Sequence, residues 1–119
     1  MYISYNFTLH FFILIGQILQ QAKIPLISQR ECTRAMGYSS ITSSMICAGH
    51  SNKRIDSCQG DSGGPLVCRK KNNAGQDVWY LWGVVSWGID CAKPGYYGVY
   101  ASVETLGSWV QNTIKSRTG

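Results

Sequence analysis

The sequence predicts an all-β domain interrupted by one short helix and closed by another. Its 119 residues suffice for one domain, and with 45% hydrophobic and only 14% charged residues the composition excludes disorder. From Leu19 onward, short apolar segments alternate with turn residues and no internal repeat occurs, which is typical of β-rich domains. The net charge of +5 comes from basic residues scattered through polar stretches, so we interpret it as solvated loop charge and expect no nucleic-acid partner.

The first 18 residues form an apolar leader that we assign to no domain. Its apolar run, residues 11–15, is too short for a transmembrane helix, which needs about 20 apolar residues, so a membrane anchor is not expected. No Lys or Arg precedes the run and no small-x-small site follows it. Residues 1–18 are therefore either a weak signal peptide or a gene-model artefact, and the domain is expected to span residues 19–119.

Five strands and two helices are expected within that span. Ser28 is placed to cap a short helix that runs through Met36 and ends at Gly37. Val103, Leu106, Val110 and Ile114 recur at helical spacing, so a final helix is expected to pack this apolar stripe against the core. The expected strands, each rich in apolar residues between turn signals, are 19–27, 45–48, 65–69, 79–87 and 98–103.

The five cysteines favour disulfides over a metal site. No Cys-x-x-Cys occurs, and the spacing of His50 from Cys47 and Cys58 fits no common zinc motif, so no metal is expected. Disulfides form in oxidising compartments, which predicts a secreted, extracellular protein. Because the number of cysteines is odd, one thiol lacks a partner within this sequence.

The segment 56–65, which reads DSCQGDSGGP, carries the clearest chemical signal. Its glycines leave Ser62 on a backbone with few neighbouring Cβ atoms, where a carbonyl can approach and backbone N–H groups can stabilise a developing negative charge. Ser62 is therefore a candidate nucleophile. The pattern also fits the G-x-S-x-G elbow of α/β-hydrolases, but Gly-Gly-Pro starts a helix poorly and no histidine follows Ser62. A glycine-rich turn without chemistry is the other alternative.

Three further motifs accompany that segment: MICAG at 45–49, VVSWG at 84–88 and GVYA at 98–101. Together and in this order, the four motifs resemble the trypsin-like serine proteases of the chymotrypsin family, from about residue 19 to residue 114. The resemblance implies the second antiparallel β-barrel of that fold, incomplete in this sequence, with an intermediate helix and a C-terminal helix. It also implies a serine endopeptidase that cleaves after Arg or Lys.

The resemblance assigns roles to individual residues. Ser62 matches the nucleophile, the backbone N–H groups of Gly60 and Ser62 match the oxyanion hole, and Asp61 matches the partner of the amino terminus freed by zymogen cleavage. Asp56 matches the base of the specificity pocket, where a carboxylate binds a substrate Arg or Lys; a surface carboxylate is the alternative. The other substrate-binding positions implied are Ser57, Gln59, Ser86, Trp87, Gly88 and Gly98.

The resemblance also implies disulfides and a possible ion. Cys32 would pair with Cys47, closing a loop that contributes about 3 kcal/mol in the entropic description, and Cys58 would pair with Cys91. Cys68 remains unpaired, since its family partner lies upstream of the region of resemblance. Tyr97 stands where many relatives carry proline, which resembles a branch that binds Na⁺; a packed aromatic ring is the alternative, and no other cofactor is expected.

The triad histidine and aspartate of the family have no match in this sequence. Only His10 and His50 occur, and neither lies in the family's Ala-Ala-His-Cys context. The order His50, Asp56, Ser62 mimics the triad order, but all three lie in one loop and Asp56 already has a pocket role, so we interpret the order as coincidence.

We therefore expect a chain that is inactive alone, that needs an N-terminal protease barrel as partner, and whose substrates are proteins or peptides with basic residues. A non-catalytic binding or regulatory fragment is the alternative, and a membrane-tethered form is a third.

Overall fold

The computed structural model describes residues 2–5, 8–9, 14–15, 20–58 and 60–118. Strands lead into a short helix, further strands follow, and a longer helix ends the described chain. In order, the elements are β1 (Tyr2–Tyr5), β2 (Thr8–Leu9), β3 (Leu14–Ile15), β4 (Gln20–Lys23), β5 (Leu26–Ile27), α1 (Gln29–Met36), β6 (Met45–Ala48), β7 (Pro65–Lys71), β8 (Asp77–Trp87), β9 (Gly98–Ser102) and α2 (Val103–Thr118).

Seven of these strands form one antiparallel sheet in the order β4-β1-β7-β8-β9-β6-β5, while β2 pairs with β3 alone. The long β7–β8 hairpin holds the centre, and its turn is closed by Asn72, whose Oδ1 accepts hydrogen bonds from the N–H groups of Ala74 and Gln76 at 3.0 and 2.9 Å. The outer strands β4 and β5 do not pair with each other, so the sheet stays open. The predicted all-β class and incomplete barrel are thereby confirmed.

The segment predicted as one strand over 19–27 is instead two strands at opposite edges of the sheet. β4 pairs with β1 at one edge and β5 pairs with β6 at the other. Between them, Ile24 is fully buried and Pro25, which lacks an N–H for a ladder, carries the chain across. Within the predicted leader, β1 lies between β4 and β7, whereas much of the apolar run lies outside the described residues.

The short helix α1 forms where it was predicted. The Ser28 hydroxyl accepts a hydrogen bond from the N–H of Glu31 at 3.2 Å, and the N–H of Gly37 donates to the carbonyl of Thr33 at 3.0 Å. Cys32 and Met36 lie on its buried face, which packs the helix against β6.

Two clusters of buried side chains lie on the two sides of β9. Successive residues of a strand point to opposite faces, so Val99 joins one cluster and Tyr100 the other. The first cluster consists of Ile24, Ala48, Leu66, Val85 and Tyr100. The second consists of Cys32, Met36, Cys47, Tyr97 and Val99.

The C-terminal helix α2 forms, but its predicted packing is wrong. None of its residues is buried, and Trp109 and Ile114 are 67% and 52% exposed. The helix contacts mainly β8 and β9, and along its apolar stripe Val103 and Leu106 are half-buried whereas Val110 and Ile114 are exposed. Helical spacing identifies side chains that share a face, whereas what covers that face depends on tertiary contacts. Neither helix that the described residues form is long and apolar enough to cross a membrane.

Candidate functional site

Two loops meet at one end of the sheet and bring most of the predicted site residues together. One loop follows β6 and ends at β7, and the other joins β8 to β9. The disulfide between Cys58 and Cys91 links them, with their Cα atoms 5.2 Å apart, and the N–H of Gly95 donates to the carbonyl of Ser51 at 3.1 Å. Residues 33 positions apart in sequence are thereby joined, and a hydrogen bond from the N–H of Ala92 to Asp56 links the same two loops.

Ser62 lies exposed in a tight turn of the first loop. Gly60 and Gly63 adopt φ angles of +93° and +83°, which L side chains rarely tolerate, so glycine is required for the turn. The N–H of Gly63 donates to the carbonyl of Val85 at 2.9 Å, and the N–H of Val85 donates to the carbonyl of Gly64 at 2.9 Å. These two bonds fix the turn to β8 immediately beside the nucleophile candidate.

Backbone donors around Ser62 fall into two sets. The N–H groups of Asp61, Gly63 and Gly64 donate to backbone carbonyls at 2.8–3.0 Å. The N–H groups of Gly60 and Ser62 make no hydrogen bond to any described residue. Two donors without a protein acceptor beside an exposed hydroxyl are what stabilisation of an oxyanion requires.

Asp61 is the buried carboxylate of this turn, with 4% of its surface exposed. Its Oδ2 accepts a hydrogen bond from the N–H of Cys58 at 2.7 Å, which closes the turn from inside. The side chain of Asp61 therefore points into the protein, while that of Ser62 lies at the surface.

Asp56 lies half-buried between the two loops. Its Oδ1 accepts from the N–H of Ser57 at 2.8 Å, and its Oδ2 accepts from the N–H of Ala92 at 3.1 Å. Burial raises the pKa of the Asp56 carboxyl above its ordinary value, and these two N–H groups oppose the rise because they stabilise the charged form. The carboxylate thus has a fixed orientation in a partly dry environment.

Gly98 packs against that carboxylate, and no room for a side chain exists at this position. A Cβ at Gly98 would lie 2.8 Å from Oδ1 of Asp56 and 3.0 Å from the hydroxyl of Tyr100, both closer than ordinary contacts. At Gly88, by contrast, a Cβ would meet nothing nearer than the carbonyl oxygens of Asp90 and Tyr97 at 3.9 Å. The structure therefore places Asp56 and Gly98 in direct contact and Gly88 in a looser region.

The last residues of β8 provide a free strand edge near Ser62. β7 begins at Pro65, which pairs with Val84, and the residues just before it, Gly63 and Gly64, form hydrogen bonds with Val85. The contacts on this side of β8 therefore end at Val85. Ser86 lies at an irregularity in the pairing of β8 with β9, between Val85 and Trp87. On the β7 side, the segment from Ser86 to Gly88 has no strand partner among the residues that the structure covers.

Two residues at this site were missed by sequence reasoning. Tyr100 is fully buried, its hydroxyl lies 3.3 Å from the Ser57 hydroxyl, and burial raises the pKa of its phenol well above the ordinary value. Its position was predictable, because Tyr100 lies two residues after Gly98 and so shares its face of β9. Ala92 was not predictable: its φ of +54° aims its N–H at Asp56, and nothing in the sequence marks an alanine for that conformation.

His50 takes no part in a triad-like arrangement. Its Nε2 lies 3.3 Å from the carbonyl oxygen of Lys23, in the opposite direction along the chain from Asp56. Both carboxylate oxygens of Asp56 accept from backbone N–H groups instead. This geometry agrees with the interpretation of the order His50, Asp56, Ser62 as coincidence.

The remaining predicted residues occupy definite environments, apart from Gln59, which lies outside the described residues. The disulfide between Cys32 and Cys47 forms, and Cys68 is a half-buried free thiol. Tyr97 is 8% exposed, packs in the second cluster and donates its hydroxyl to Glu31 Oε1 at 3.3 Å. No group of three His, Cys, Asp or Glu side chains suited to a metal ion occurs in the described part of the chain.

Comparison with known proteins gives a consistent result. A family model described as Trypsin matches residues 13–110. The chain is 46% identical over 101 residues to human transmembrane protease serine 5 and 44% identical over 99 residues to rat transmembrane protease serine 7. It is 46% identical over 94 residues to an ovochymase of Halocynthia roretzi. These alignments cover 79–84% of this chain but only 6–21% of the relatives, so the chain spans a small part of the curated proteins it matches.

Proposed function

The chain belongs to the trypsin family of serine proteases, and from that premise we propose that it carries the nucleophile and the specificity pocket of an endopeptidase that cleaves after Arg or Lys. The observation that carries this proposal is the contact of the Asp56 carboxylate with Gly98. Asp56 lies in the same loop as the exposed Ser62. The substrates would be proteins or peptides with exposed basic residues.

Recognition of a basic side chain rests on Asp56. Its two oxygens are already oriented by the N–H groups of Ser57 and Ala92, so a guanidinium or ammonium group completes the solvation of a carboxylate that burial has partly removed from water. The missing side chain at Gly98 lets its backbone pack directly against the carboxylate, since a Cβ there would lie 2.8 Å from Oδ1 of Asp56. A substrate strand would pair with the free edge at Ser86, Trp87 and Gly88.

Acyl transfer would occur at Ser62. Its hydroxyl oxygen attacks the carbonyl carbon of the basic residue while a base takes the hydroxyl proton, and the N–H groups of Gly60 and Ser62 donate to the oxyanion that forms. The C–N bond then breaks, the amine of the following residue leaves with that proton, and water later hydrolyses the acyl ester on Ser62. A serine hydroxyl is a weak nucleophile without an adjacent base. We propose that the base and its orienting carboxylate come from an N-terminal protease barrel outside this sequence, and that Asp61 pairs with an activating amino terminus.

The chain alone would then have no useful protease activity. In serine proteases, loss of a triad member leaves only about 10³–10⁴-fold catalysis over water, which comes from the oxyanion hole and from binding. One observation favours a second candidate, a non-catalytic binding module: within the described residues, no histidine contacts Ser62 or Asp56. Such a module would use the Asp56 pocket to hold basic side chains without cleaving them.

We place the protein outside the cell, because its two disulfides require an oxidising environment. No cofactor is proposed for catalysis. Na⁺ binding near Tyr97 remains a hypothesis with a simple test, since equal rates of arginine amide hydrolysis in sodium and choline chloride by the complete enzyme would remove it. The packing of the Tyr97 ring in the second cluster supports the alternative of a structural aromatic.

The two candidate functions are separated by reconstitution. The chain is mixed with a first-barrel fragment of a family member, and turnover of an arginine amide substrate is measured together with labelling by an organophosphate. We expect both signals with the wild-type chain and neither with Ser62→Ala. Binding of benzamidine, an amidinium ligand, without turnover or labelling after reconstitution would support the binding module instead.

A further inference from the structure

The loop between Gly49 and Asp56 contains two adjacent basic residues, Lys53 and Arg54, which lie outside the helices and strands. The sequence has 11 Lys and Arg residues, and eight of them lie within regular elements. The remaining three are Lys53, Arg54 and Lys93. Exposed loops are the preferred sites of proteolytic nicking, and two adjacent basic residues in one offer two cleavage points to an endopeptidase specific for basic residues.

The pair is fully accessible. Residues 51–54 are all exposed, and Lys53 and Arg54 make no ion pair with another described residue. The carbonyl of Ser51 accepts from Gly95, but the backbone of residues 52–54 forms no hydrogen bond within the described structure. Because a protease must draw an extended segment into its cleft, a segment without backbone bonds enters at low cost.

Four of the other basic residues are protected by comparison. Arg69, Lys70 and Lys71 pair with Trp79, Val78 and Asp77 in the central hairpin, so cleavage there requires opening the sheet. Lys93 precedes Pro94, and its ammonium lies 5.0 Å from the centre of the Tyr96 ring and 3.9 Å from Asp90. The peptide bond after Lys93 is therefore a tertiary amide, and the Lys93 side chain is held by both Tyr96 and Asp90.

We propose that Lys53 and Arg54 form a proteolytic processing site, cleaved by an endopeptidase specific for basic residues. Water is the co-reactant: the C–N bond after Lys53 or Arg54 breaks, the hydroxyl joins the new carboxyl group, and the proton joins the new amine. At neutral pH the products are a carboxylate on one piece and an ammonium group at Arg54 or Ile55 on the other.

Cleavage at this site divides the molecule into two pieces that no disulfide joins. Cys32 and Cys47 both lie before the site, whereas Cys58 and Cys91 both lie after it. The pieces would then be held only by the non-covalent contacts that cross the cut, chiefly the pairing of β1 with β7 and of β6 with β9.

The cut also falls beside Asp56. The new ammonium group would lie one or two residues from the carboxylate proposed to bind the substrate cation, and an opposite charge so close competes for it. Cleavage in this loop would therefore weaken the binding of basic side chains at Asp56 and act as an off-switch for the pocket. This effect on binding rests on the proposed function. The cleavage itself does not depend on that function.

Limited digestion of the full chain with trypsin tests the site. We expect one early cut that yields two pieces separable on a denaturing gel without reductant. The double variant Lys53→Gln, Arg54→Gln should slow that cut at least tenfold, whereas the control Lys70→Gln, Lys71→Gln should be cut at the wild-type rate. An early cut elsewhere, or equal rates for both double variants, would overturn the proposal.

Single variants guard against a folding artefact. Lys53→Gln should give Ile55 as the new amino terminus, and Arg54→Gln should give Gln at position 54, which N-terminal sequencing distinguishes. A variant that merely unfolds would be cut at many basic residues at once, which urea unfolding midpoints measured in parallel would reveal. New termini that do not shift with the substitutions would contradict the assignment.

Benzamidine binding before and after the cut tests the switch. We expect the intact chain to bind and the cleaved chain to bind about tenfold more weakly, a change of ~1.4 kcal/mol. Equal affinity before and after would overturn the switch. Absence of binding by the intact chain would count against the proposed pocket, and the digestion result would still decide the processing site.

Discussion

At the residue scale, the account depends on the geometry around the Asp56 carboxylate. Two backbone N–H groups fix its oxygens, Gly98 packs against one of them, and burial raises the pKa of the carboxyl. These features support the proposal that Asp56 binds a cation, because a partly dry carboxylate gains more from a charged partner than a solvated one does.

Substitution of Gly98 tests its contact with Asp56. Gly98→Ala should weaken benzamidine binding at least tenfold, because its Cβ would lie 2.8 Å from Asp56 Oδ1 and would force the carboxylate out of its present position. The matched control is Gly107→Ala, where a Cβ meets no atom within 4 Å and a helical alanine should stabilise the chain by about 1 kcal/mol. Unchanged affinity in Gly98→Ala would show that the position of the Asp56 carboxylate does not determine binding.

The raised pKa of Asp56 sets the direction of two pH profiles. Ionisation of the carboxyl costs more in the folded than in the unfolded chain, so its contribution to the free energy of unfolding is complete at acidic pH and falls as pH rises through the folded-state pKa. Cation affinity should rise over the same interval, since only the carboxylate binds benzamidine. Calorimetry from pH 3 to pH 8 with wild type and Asp56→Asn checks both, and a wild-type affinity that is flat with pH would contradict the assignment.

At the scale of elements, α1 is a helix specified mainly by its own sequence. Its Ser28 cap, the Glu31–Arg34 ion pair and the Gly37 end all follow from local rules, and all form. Ser28→Ala should therefore lower the free energy of unfolding by about 1 kcal/mol. Ser39→Ala, in the exposed turn after the helix, serves as control and should change it by less than about 0.5 kcal/mol. Equal losses in urea unfolding would rule out the capping contribution.

The helix α2 illustrates what local rules do not determine. Its apolar stripe is real in the sequence, yet Trp109, Val110 and Ile114 are exposed, whereas Leu66 on β7 is fully buried. We expect Ile114→Ala to cost under about 0.5 kcal/mol, and Leu66→Ala to cost about 2–5 kcal/mol because it leaves a cavity in the first cluster. Comparable losses of unfolding free energy for the two variants would mean that α2 packs against the core in solution.

At the scale of the whole molecule, the sequence predicts the fold class and the neighbourhood of the site but not the connections between them. The glycines around Ser62 are a local signal, and the turn that they predict forms, with Gly60 and Gly63 at positive φ. The alternation along β9 is a second local signal, from which the shared face of Gly98 and Tyr100 could have been predicted. The crossing from β4 to β5 at opposite sheet edges and the Ala92 hydrogen bond to Asp56 both depend on long-range pairing, for which a single sequence carries no signal.

At this scale, the open sheet supports the proposal that the chain needs an N-terminal barrel as its partner. The outer strands β4 and β5 do not pair with each other, and large apolar side chains on β8 and α2 are exposed. In the proposed function, an N-terminal barrel supplies both the catalytic base and further contacts for this half. Recovery of arginine amide turnover on adding such a barrel is the corresponding expectation at this scale.

The most direct measurement is a calorimetric titration of the full chain with benzamidine, in parallel with Asp56→Asn and with Asp77→Asn as a matched control on the β8 surface. The account predicts saturable binding by the wild type and by Asp77→Asn, and at least a hundredfold weaker binding by Asp56→Asn. Equal binding by all three proteins, or none by the wild type, would contradict the claim that Asp56 forms a pocket for basic side chains.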